Sequence, residues 1–181
     1  MSNGRVFEAE ALIVVDMQAG FVTGADAVPQ NGDLLDATSM LIDQARAAGA
    51  LVIFLQNDGP VGAIDEPHRP GWGLYFALQP EEVIIRKSED DGFIGTDLND
   101  CLTTSGIRTL AMCGVLSEMC LAATARSAMR RGYTVIIPHD GHATYDVPPR
   151  AWRFGRSPRA SCCESSRMVT WRWRNYPAIG T

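Results

Sequence analysis

The chain has 181 residues and a formal net charge of −5, and its 46% hydrophobic and 20% charged content is typical of one soluble globular domain. No apolar run approaches the ~20 residues that a membrane-spanning helix needs, and glutamates precede the first apolar run where a secretory signal would carry positive charge. The sequence therefore predicts a cytoplasmic protein that has no membrane partner and keeps its five cysteines reduced.

Apolar runs and helical spacings alternate along most of the chain. The run ALIVVD is typical of a strand buried on both faces, because its apolar residues are nearly continuous. In chain order the sequence predicts strands over 11–16, 50–56, 82–87, 108–114 and 133–138, and helices over 33–49, 97–106 and 117–132. A loop rich in glycine, proline and aromatic residues separates the second strand from the third.

Strands that alternate with helices in this way indicate βαβ units, and hence an α/β fold with a mostly parallel sheet in a three-layer α/β/α arrangement. Ligands of such sheets bind beyond the carboxyl ends of the strands. Asp16 closes the first predicted strand, Lys87 closes the third, and Cys120 lies in the first turn of the helix after the fourth. Lys87 is also the only lysine in the chain. We therefore expect three reactive side chains at one edge of the sheet.

These three side chain types suit acyl transfer. A helix N-terminus and a nearby ammonium both favour a thiolate, so we expect the pKa of Cys120 to be lowered. Asp16 could accept the thiol proton and pass it to a leaving nitrogen, and backbone N–H groups at the helix start could bind an oxyanion. Taken singly, the residues have ordinary explanations: a strand-end cap, a solvated lysine and a small buried cysteine.

The segments ALIVVDMQAGF, VIIRKSEDDGFIGTDL and CGVLSEMCLAATARSAMRRGYTVIIPHDGHAT resemble the signature blocks of the isochorismatase-like cysteine hydrolases, a family that includes nicotinamidases and streptothricin hydrolase. The resemblance implies a catalytic triad of Asp16, Lys87 and Cys120. It also implies a cis peptide between Leu116 and Ser117, which directs backbone N–H groups, including that of Cys120, toward an oxyanion. We expect no cofactor. Because the family commonly forms dimers or tetramers, we also expect a homodimer or homotetramer.

The resemblance also narrows the reaction. Nicotinamidases carry an Asp-x-His metal motif, but here Asp58 is followed by Gly59 and Pro60, and His68 alone is more typical of a loop residue, so we expect no metal. The cysteine favours cleavage of a C–N bond, and the blocks are most similar to the branch that opens a cyclic amide. Two alternatives stay open: an isochorismatase-type ether hydrolase, and a non-catalytic or degenerate member of the fold.

The substrate pocket is the least specific prediction. We expect it to draw on polar and aromatic residues that follow the first two strands, namely Gln18, Phe21, Trp72, Tyr75 and Phe76. These aromatic residues could equally pack the loop or a subunit interface. His139 and His142 follow the fifth strand, where turn or packing roles are more common than catalysis.

The resemblance stops at residue 147. We divide the chain into a hydrolase domain, residues 1–147, and an atypical C-terminal part, residues 148–181, in which no clean helical stripe or adequate apolar strand is predicted. Residues 150–181 contain seven arginines and a single glutamate, whereas residues 1–149 are acidic overall. We interpret this change as a shifted reading frame. The rival is a genuine basic tail that binds nucleic acid, a partner that we do not expect.

Overall fold

The structure is a computed structural model that describes residues 7–146 and 169–171. Its strands are β1 (Phe7–Ala9), β2 (Ala11–Val15), β3 (Leu51–Asn57), β4 (Val83–Lys87), β5 (Thr109–Gly114), β6 (Thr134–Ile136) and β7 (Val169–Trp171). Its helices are α1 (Ala19–Val22), α2 (Asn31–Ala47), α3 (Leu98–Thr104) and α4 (Ala122–Arg130), and a π-helical turn, Ser117–Leu121, leads into α4.

Strand β2 is the centre of a five-stranded parallel sheet in the order β4-β3-β2-β5-β6. All five of its residues are buried, because β3 and β5 flank it and helices cover both of its faces. In register, Val15 pairs with Leu55 of β3 and with Gly114 of β5, so these strands end side by side. The continuous apolar run of the sequence is explained by this burial on two faces.

Helices lie on both sides of the sheet and complete the three layers. Apolar residues of α2, such as Leu41 and Ala45, pack on one face with Leu12, Val14 and Phe54. Residues of α3 and α4 pack on the other face, where the buried cluster contains Leu98, Leu102, Ala125 and Ala128 together with Ile13, Val15 and Ile53. The predicted α/β fold with a mostly parallel sheet is confirmed.

The predicted helix 117–132 begins with the π-helical turn Ser117–Leu121 in place of a first α-helical turn, and the structure differs from the sequence predictions at three further short elements. Neither β1 nor α1 was predicted, since both are too short to show a periodic pattern. The third is β7, which lies in the C-terminal part and was not predicted: it pairs in parallel with β1, Phe7 opposite Val169. With three residues, β7 does not contradict the expectation that this part holds no apolar strand of adequate length, because backbone pairing with another short strand needs no long apolar run. The rest of the predicted C-terminal part, with most of residues 148–181, lies outside the described residues.

In the described parts of the chain, no helix combines the length and the apolar character needed to cross a bilayer.

Candidate active site

The three reactive side chains that the sequence singled out meet at the carboxyl edge of the sheet. Asp16 follows β2 directly and has a positive φ of 49°, so the chain turns sharply as it leaves the sheet. Lys87 is the last residue of β4, and Cys120 lies in the π-helical turn that follows β5. Because β2 lies at the centre of the sheet, with β4 on one side beyond β3 and β5 on the other, the side chains reach a common point from both directions.

Lys87 is the hub of this cluster. Its ammonium Nζ lies 2.8 Å from Asp16 Oδ2 and 3.4 Å from Cys120 Sγ. It also donates to Asn57 Oδ1 at 3.0 Å and to the Glu89 carbonyl at 3.2 Å. The Lys87 side chain has no solvent exposure, so these acceptors replace water around the charge. The structure thus brings Asp16, Lys87 and Cys120 within contact distance.

The electrostatics of the cluster differ from the expectation. Burial, followed by the Asp16 charge, raises the pKa of the Cys120 thiol, and the Lys87 ammonium offsets only part of this. The prediction of a lowered thiol pKa is therefore wrong for the free protein, because the sequence could not show how deeply the sulfur is buried or how close it lies to a carboxylate. At neutral pH the resting form is a thiol.

The pKa shifts of Asp16 and Lys87 favour transfer of the thiol proton from Cys120 to Asp16. Burial raises the pKa of Asp16, although the Lys87 charge and hydrogen bond oppose the shift. Burial acts to lower the pKa of Lys87, but the charges of Asp16 and then Cys120 outweigh it. The pKa of Lys87 is therefore raised, and the group stays an ammonium. Moving the proton from Cys120 to Asp16 leaves the net charge of the three groups unchanged. A buried site therefore opposes this transfer less than it opposes release of the proton to solvent.

The turn that carries Cys120 begins one residue earlier than predicted. The cis peptide joins Val115 to Leu116, not Leu116 to Ser117. Val115, the residue after β5, is still bonded to the sheet, since its N–H donates to the Val15 carbonyl at 3.0 Å. The Leu116 carbonyl already accepts from Met119 and Leu121, at 3.1 and 3.3 Å, so the chain reverses between these two residues.

The backbone N–H groups of Leu116 and Ser117 differ in their hydrogen bonding. Ser117 N–H donates to the Ala143 carbonyl at 3.0 Å, which ties the turn to the segment after β6. The Leu116 N–H has no hydrogen-bond partner among the described residues. The Ser117 hydroxyl also lies 2.8 Å from His142 Nδ1. The turn is therefore held at Ser117, while the Leu116 N–H stays available to a ligand.

Gly114 allows β5 to approach β2 closely. Its φ of +124° lies in the region that side chains rarely adopt, and a Cβ there would overlap the Val15 carbonyl oxygen. Close packing of β2 and β5 at their ends is what sets Asp16 and Cys120 on the same edge.

The cluster opens into a cleft of about 200 Å³. Its walls are formed by Asp16, Phe21, Asn57, Asp65, Asp90, Val115, Leu116, Met119 and Cys120. Sequence reasoning missed five of these residues: Asn57, Asp65, Asp90, Val115 and Met119. Asn57 could have been found, because it ends β3 between the strands of Asp16 and Lys87. Asp65 lies in a long loop, and no sequence pattern indicated its position.

Of the residues predicted to bind substrate, Phe21 lines the cleft. Gln18 does not: its fully buried amide bonds the backbone of Asn57 and Trp72, so it fixes the loop that follows β3. Trp72 donates its ring N–H to Asp58, while Tyr75 and Phe76 pack edge to face at 5.1 Å. Binding roles for these residues stay predictions.

The residues of the absent metal motif have other partners. Asp58 pairs with Arg86 at 2.7 Å and accepts from Trp72 at 2.9 Å, and the His68 ring lies 5.1 Å from the Trp72 ring. Within the described ranges no group of three or more histidine, cysteine, aspartate or glutamate side chains is arranged to hold a metal ion.

A larger depression of about 410 Å³ lies elsewhere, at the amino ends of β5 and β6. Its walls include Arg108, Arg131 and Tyr133 but none of the three clustered residues. The smaller cleft is the one that contains reactive groups.

Comparison with known proteins agrees with this geometry. Residues 10–157 match the isochorismatase domain family. The chain is 53% identical over 164 residues to a streptothricin hydrolase from Streptomyces noursei, covering 90% of this chain but 64% of that protein. Among solved structures it is similar to an isochorismatase from Pseudomonas putida KT2440 (TM-score 0.75, 25% identity, 82% of this chain and 78% of that one). A cysteine hydrolase from Pseudomonas syringae pv. phaseolicola is also similar (TM-score 0.71, 29% identity, 84% and 83%). The family match over most of the chain, on a parallel sheet of this architecture, shows that the chain belongs to the isochorismatase family.

Proposed function

We propose that the chain is a metal-independent cysteine hydrolase that cleaves the C–N bond of a small amide, with a cyclic amide as the favoured substrate. The single observation that carries the proposal is the contact of one buried ammonium, Lys87 Nζ, with both Asp16 Oδ2 and Cys120 Sγ. The 53% identity to a streptothricin hydrolase supports the substrate class. The chain spans 64% of the length of that relative, so the activity of the relative enters only as support.

The first half of the proposed reaction forms a thioester. The substrate carbonyl enters the cleft with its oxygen toward the N–H groups of Leu116 and Cys120. Asp16 accepts the thiol proton as Sγ attacks the carbonyl carbon, and the N–H groups stabilise the oxyanion. When the C–N bond breaks, Asp16 returns the proton to the leaving nitrogen. In a cyclic amide this nitrogen stays attached to the acyl group as a free amine.

The second half regenerates the thiol. A water molecule gives its proton to Asp16 and attacks the thioester carbonyl, so that the C–S bond breaks and a carboxylic acid leaves. The sulfur departs as a thiolate beside the Lys87 ammonium and regains its proton from Asp16. Lys87 thus holds Asp16 in place and lowers the energy of the anionic sulfur without exchanging a proton itself.

The charge of the cleft argues against the ether-hydrolase alternative. Isochorismate is a dicarboxylate, whereas the walls of the cleft carry Asp65 and Asp90 in addition to the paired Asp16. Like charges repel most strongly where water is excluded, as at the buried Asp65. An anionic substrate is therefore disfavoured at this site.

The test is a panel of amides, lactams and carbamoyl compounds, streptothricin among them, incubated with the purified protein. We expect a lactam to be opened, an acyl adduct on Cys120 to be detected by mass spectrometry with slow substrates, and Cys120→Ala to be inactive. Ether hydrolysis that survives Cys120→Ala but not Asp16→Asn would overturn the proposal. Light scattering on the same sample measures whether the predicted homodimer or homotetramer forms.

A further inference from the structure

Two carboxylates in the cleft wall have no cationic partner. Asp65 and Asp90 both line the cleft, and neither takes part in an ion pair with any described residue. The cations nearest in the sequence already have partners. Lys87 pairs with Asp16 and Arg86 with Asp58, and Arg69, the nearest to Asp65, pairs with Glu66. The cleft therefore carries an excess of negative charge that the protein itself does not neutralise in the described parts of the chain.

Asp90 faces the nucleophile from the open side. Its Oδ1 lies 3.6 Å from Cys120 Sγ, and the side chain is exposed to solvent. The backbone, not a cation, fixes its position: the Thr124 hydroxyl donates to the Asp90 carbonyl at 3.3 Å and accepts from the Gly92 N–H at 2.9 Å. The Cys120 thiol donates to this oxygen in a long contact of 3.6 Å, and the exposed carboxylate keeps acceptor capacity for a second donor.

Asp65 and Asp16 place two further hydrogen-bond acceptors deeper in the cleft. Asp65 is 5% exposed, and its only side-chain hydrogen bond within the described chain is from the Asn57 amide at 2.6 Å. Asp16 Oδ1 is buried in the wall and has no hydrogen-bond partner in the described chain. A buried acceptor and an unneutralised buried charge are both costly unless a bound molecule supplies donors.

We propose that Asp90 is a specificity-determining residue that binds an ammonium or guanidinium group carried by the substrate beside its scissile amide, with Asp65 adding negative potential from below. Because Asp90 is within contact distance of the attacking sulfur, a cation within a few bonds of the acyl carbon reaches it while Sγ faces the carbonyl. The amide part of this statement rests on the proposed function. The preference for positive charge rests only on the carboxylates of the cleft.

The first experiment compares two lactams that differ in charge. Ornithine lactam carries an α-ammonium, and α-hydroxy-δ-valerolactam is its neutral counterpart. We expect kcat/KM to favour the cationic lactam, and Asp90→Asn to reduce this preference on the order of 10-fold, as for loss of one charge-assisted hydrogen bond. Asp36→Asn, an exposed carboxylate on α2 that lies outside the cleft, is the matched control and should leave the preference unchanged.

The second experiment does not depend on turnover. Iodoacetamide and iodoacetate alkylate the same Cys120 thiolate with the same leaving group, so the ratio of their rates reports the potential at the sulfur and not its pKa. We expect the anionic reagent to be disfavoured at Cys120 relative to the half-buried Cys101. Asp90→Asn should lower the ratio of the iodoacetamide rate to the iodoacetate rate at Cys120 several-fold. Added salt should lower the same ratio in the wild type.

The two experiments separate the two proposals. If alkylation discriminates against the anion through Asp90 but no amide in the panel is opened, the amidase proposal fails and the preference for cations stands. If Asp90→Asn leaves the alkylation ratio at its wild-type value, or lowers kcat/KM equally for both lactams, the specificity role of Asp90 is wrong.

Discussion

Lys87 and Asp16 form an ion pair that is almost fully buried: Nζ and Oδ2 are 2.8 Å apart, and the two side chains are 0% and 3% exposed, respectively. The same ammonium contacts Cys120 Sγ at 3.4 Å. One charge therefore serves both the stability of the sheet edge and the chemistry of the sulfur, and replacing Lys87 or Asp16 tests these two roles.

Replacing Lys87 by Met should destabilise the protein by about 3–5 kcal/mol at neutral pH, because Asp16 is then left buried without its counter-ion. Since loss of the ammonium raises the pKa of Asp16 further, the destabilisation should shrink at acid pH, where the carboxyl is neutral. Urea unfolding at several pH values measures this. Arg86→Met is the neighbouring control, since its ion pair with Asp58 is half exposed and worth about 1 kcal/mol or less. Equal losses of unfolding free energy in Lys87→Met and Arg86→Met would contradict the prediction.

Replacing Asp16 by Asn should lower the pKa of Cys120 and at the same time abolish amide hydrolysis. The Asp16 charge raises the pKa of the thiol, and its removal frees the Lys87 ammonium to stabilise the thiolate. Iodoacetamide alkylation followed against pH should therefore shift to lower pH in Asp16→Asn. A shift in the opposite direction would mean that the Asp16 charge does not raise the pKa of the Cys120 thiol.

Gly114→Ala should destabilise the fold more than Gly24→Ala. Both glycines have positive φ, +124° and +78°, but a Cβ at Gly114 would overlap the Val15 carbonyl, whereas nothing lies within 4 Å of one at Gly24. Strained backbone at Gly24 should cost about 1–2 kcal/mol, and the overlap at Gly114 adds to that. Thermal unfolding of both variants measures the difference, and similar midpoints would refute the close approach of β2 and β5.

Ser117→Ala should lower kcat on the order of 10-fold while KM and folding change little. The lost hydrogen bond to His142 holds the turn whose N–H groups we propose as oxyanion donors. Thr103→Ala, which removes an exposed hydroxyl hydrogen bond on α3, is the control and should be silent. A change confined to KM would show that Ser117 acts on substrate binding instead.

The C-terminal part, residues 148–181, carries a separate prediction. If the reading frame is shifted, the gene's nucleotide sequence should encode a family-like final helix and strand in another frame after residue 147. Nucleic-acid binding that weakens steeply with salt and disappears on truncation at residue 147 would favour the rival, a genuine basic tail.

Local sequence patterns were sufficient to predict the parallel sheet and its edge. The continuous apolar runs of β2 and β3 identified buried strands, and the order of strands and helices required parallel pairing. Asp16 and Lys87 could be placed at one edge because each ends a strand, and parallel strands end on the same side. Burial, in contrast, raises the pKa of Cys120, and no pattern near residue 120 shows how deeply its sulfur is packed.

The sequence by itself determined the fold class and the three reactive residues, because strand periodicity and strand ends are local properties. Only the tertiary structure decided the rest. Asp65 enters the cleft from a long loop, Asp90 reaches Cys120 through a turn held by Thr124, and the cis peptide lies at Val115–Leu116. Those positions depend on contacts between segments far apart in the chain, as do the burial and charge that set the protonation of the thiol. The spacing of residues within one segment does not predict such contacts.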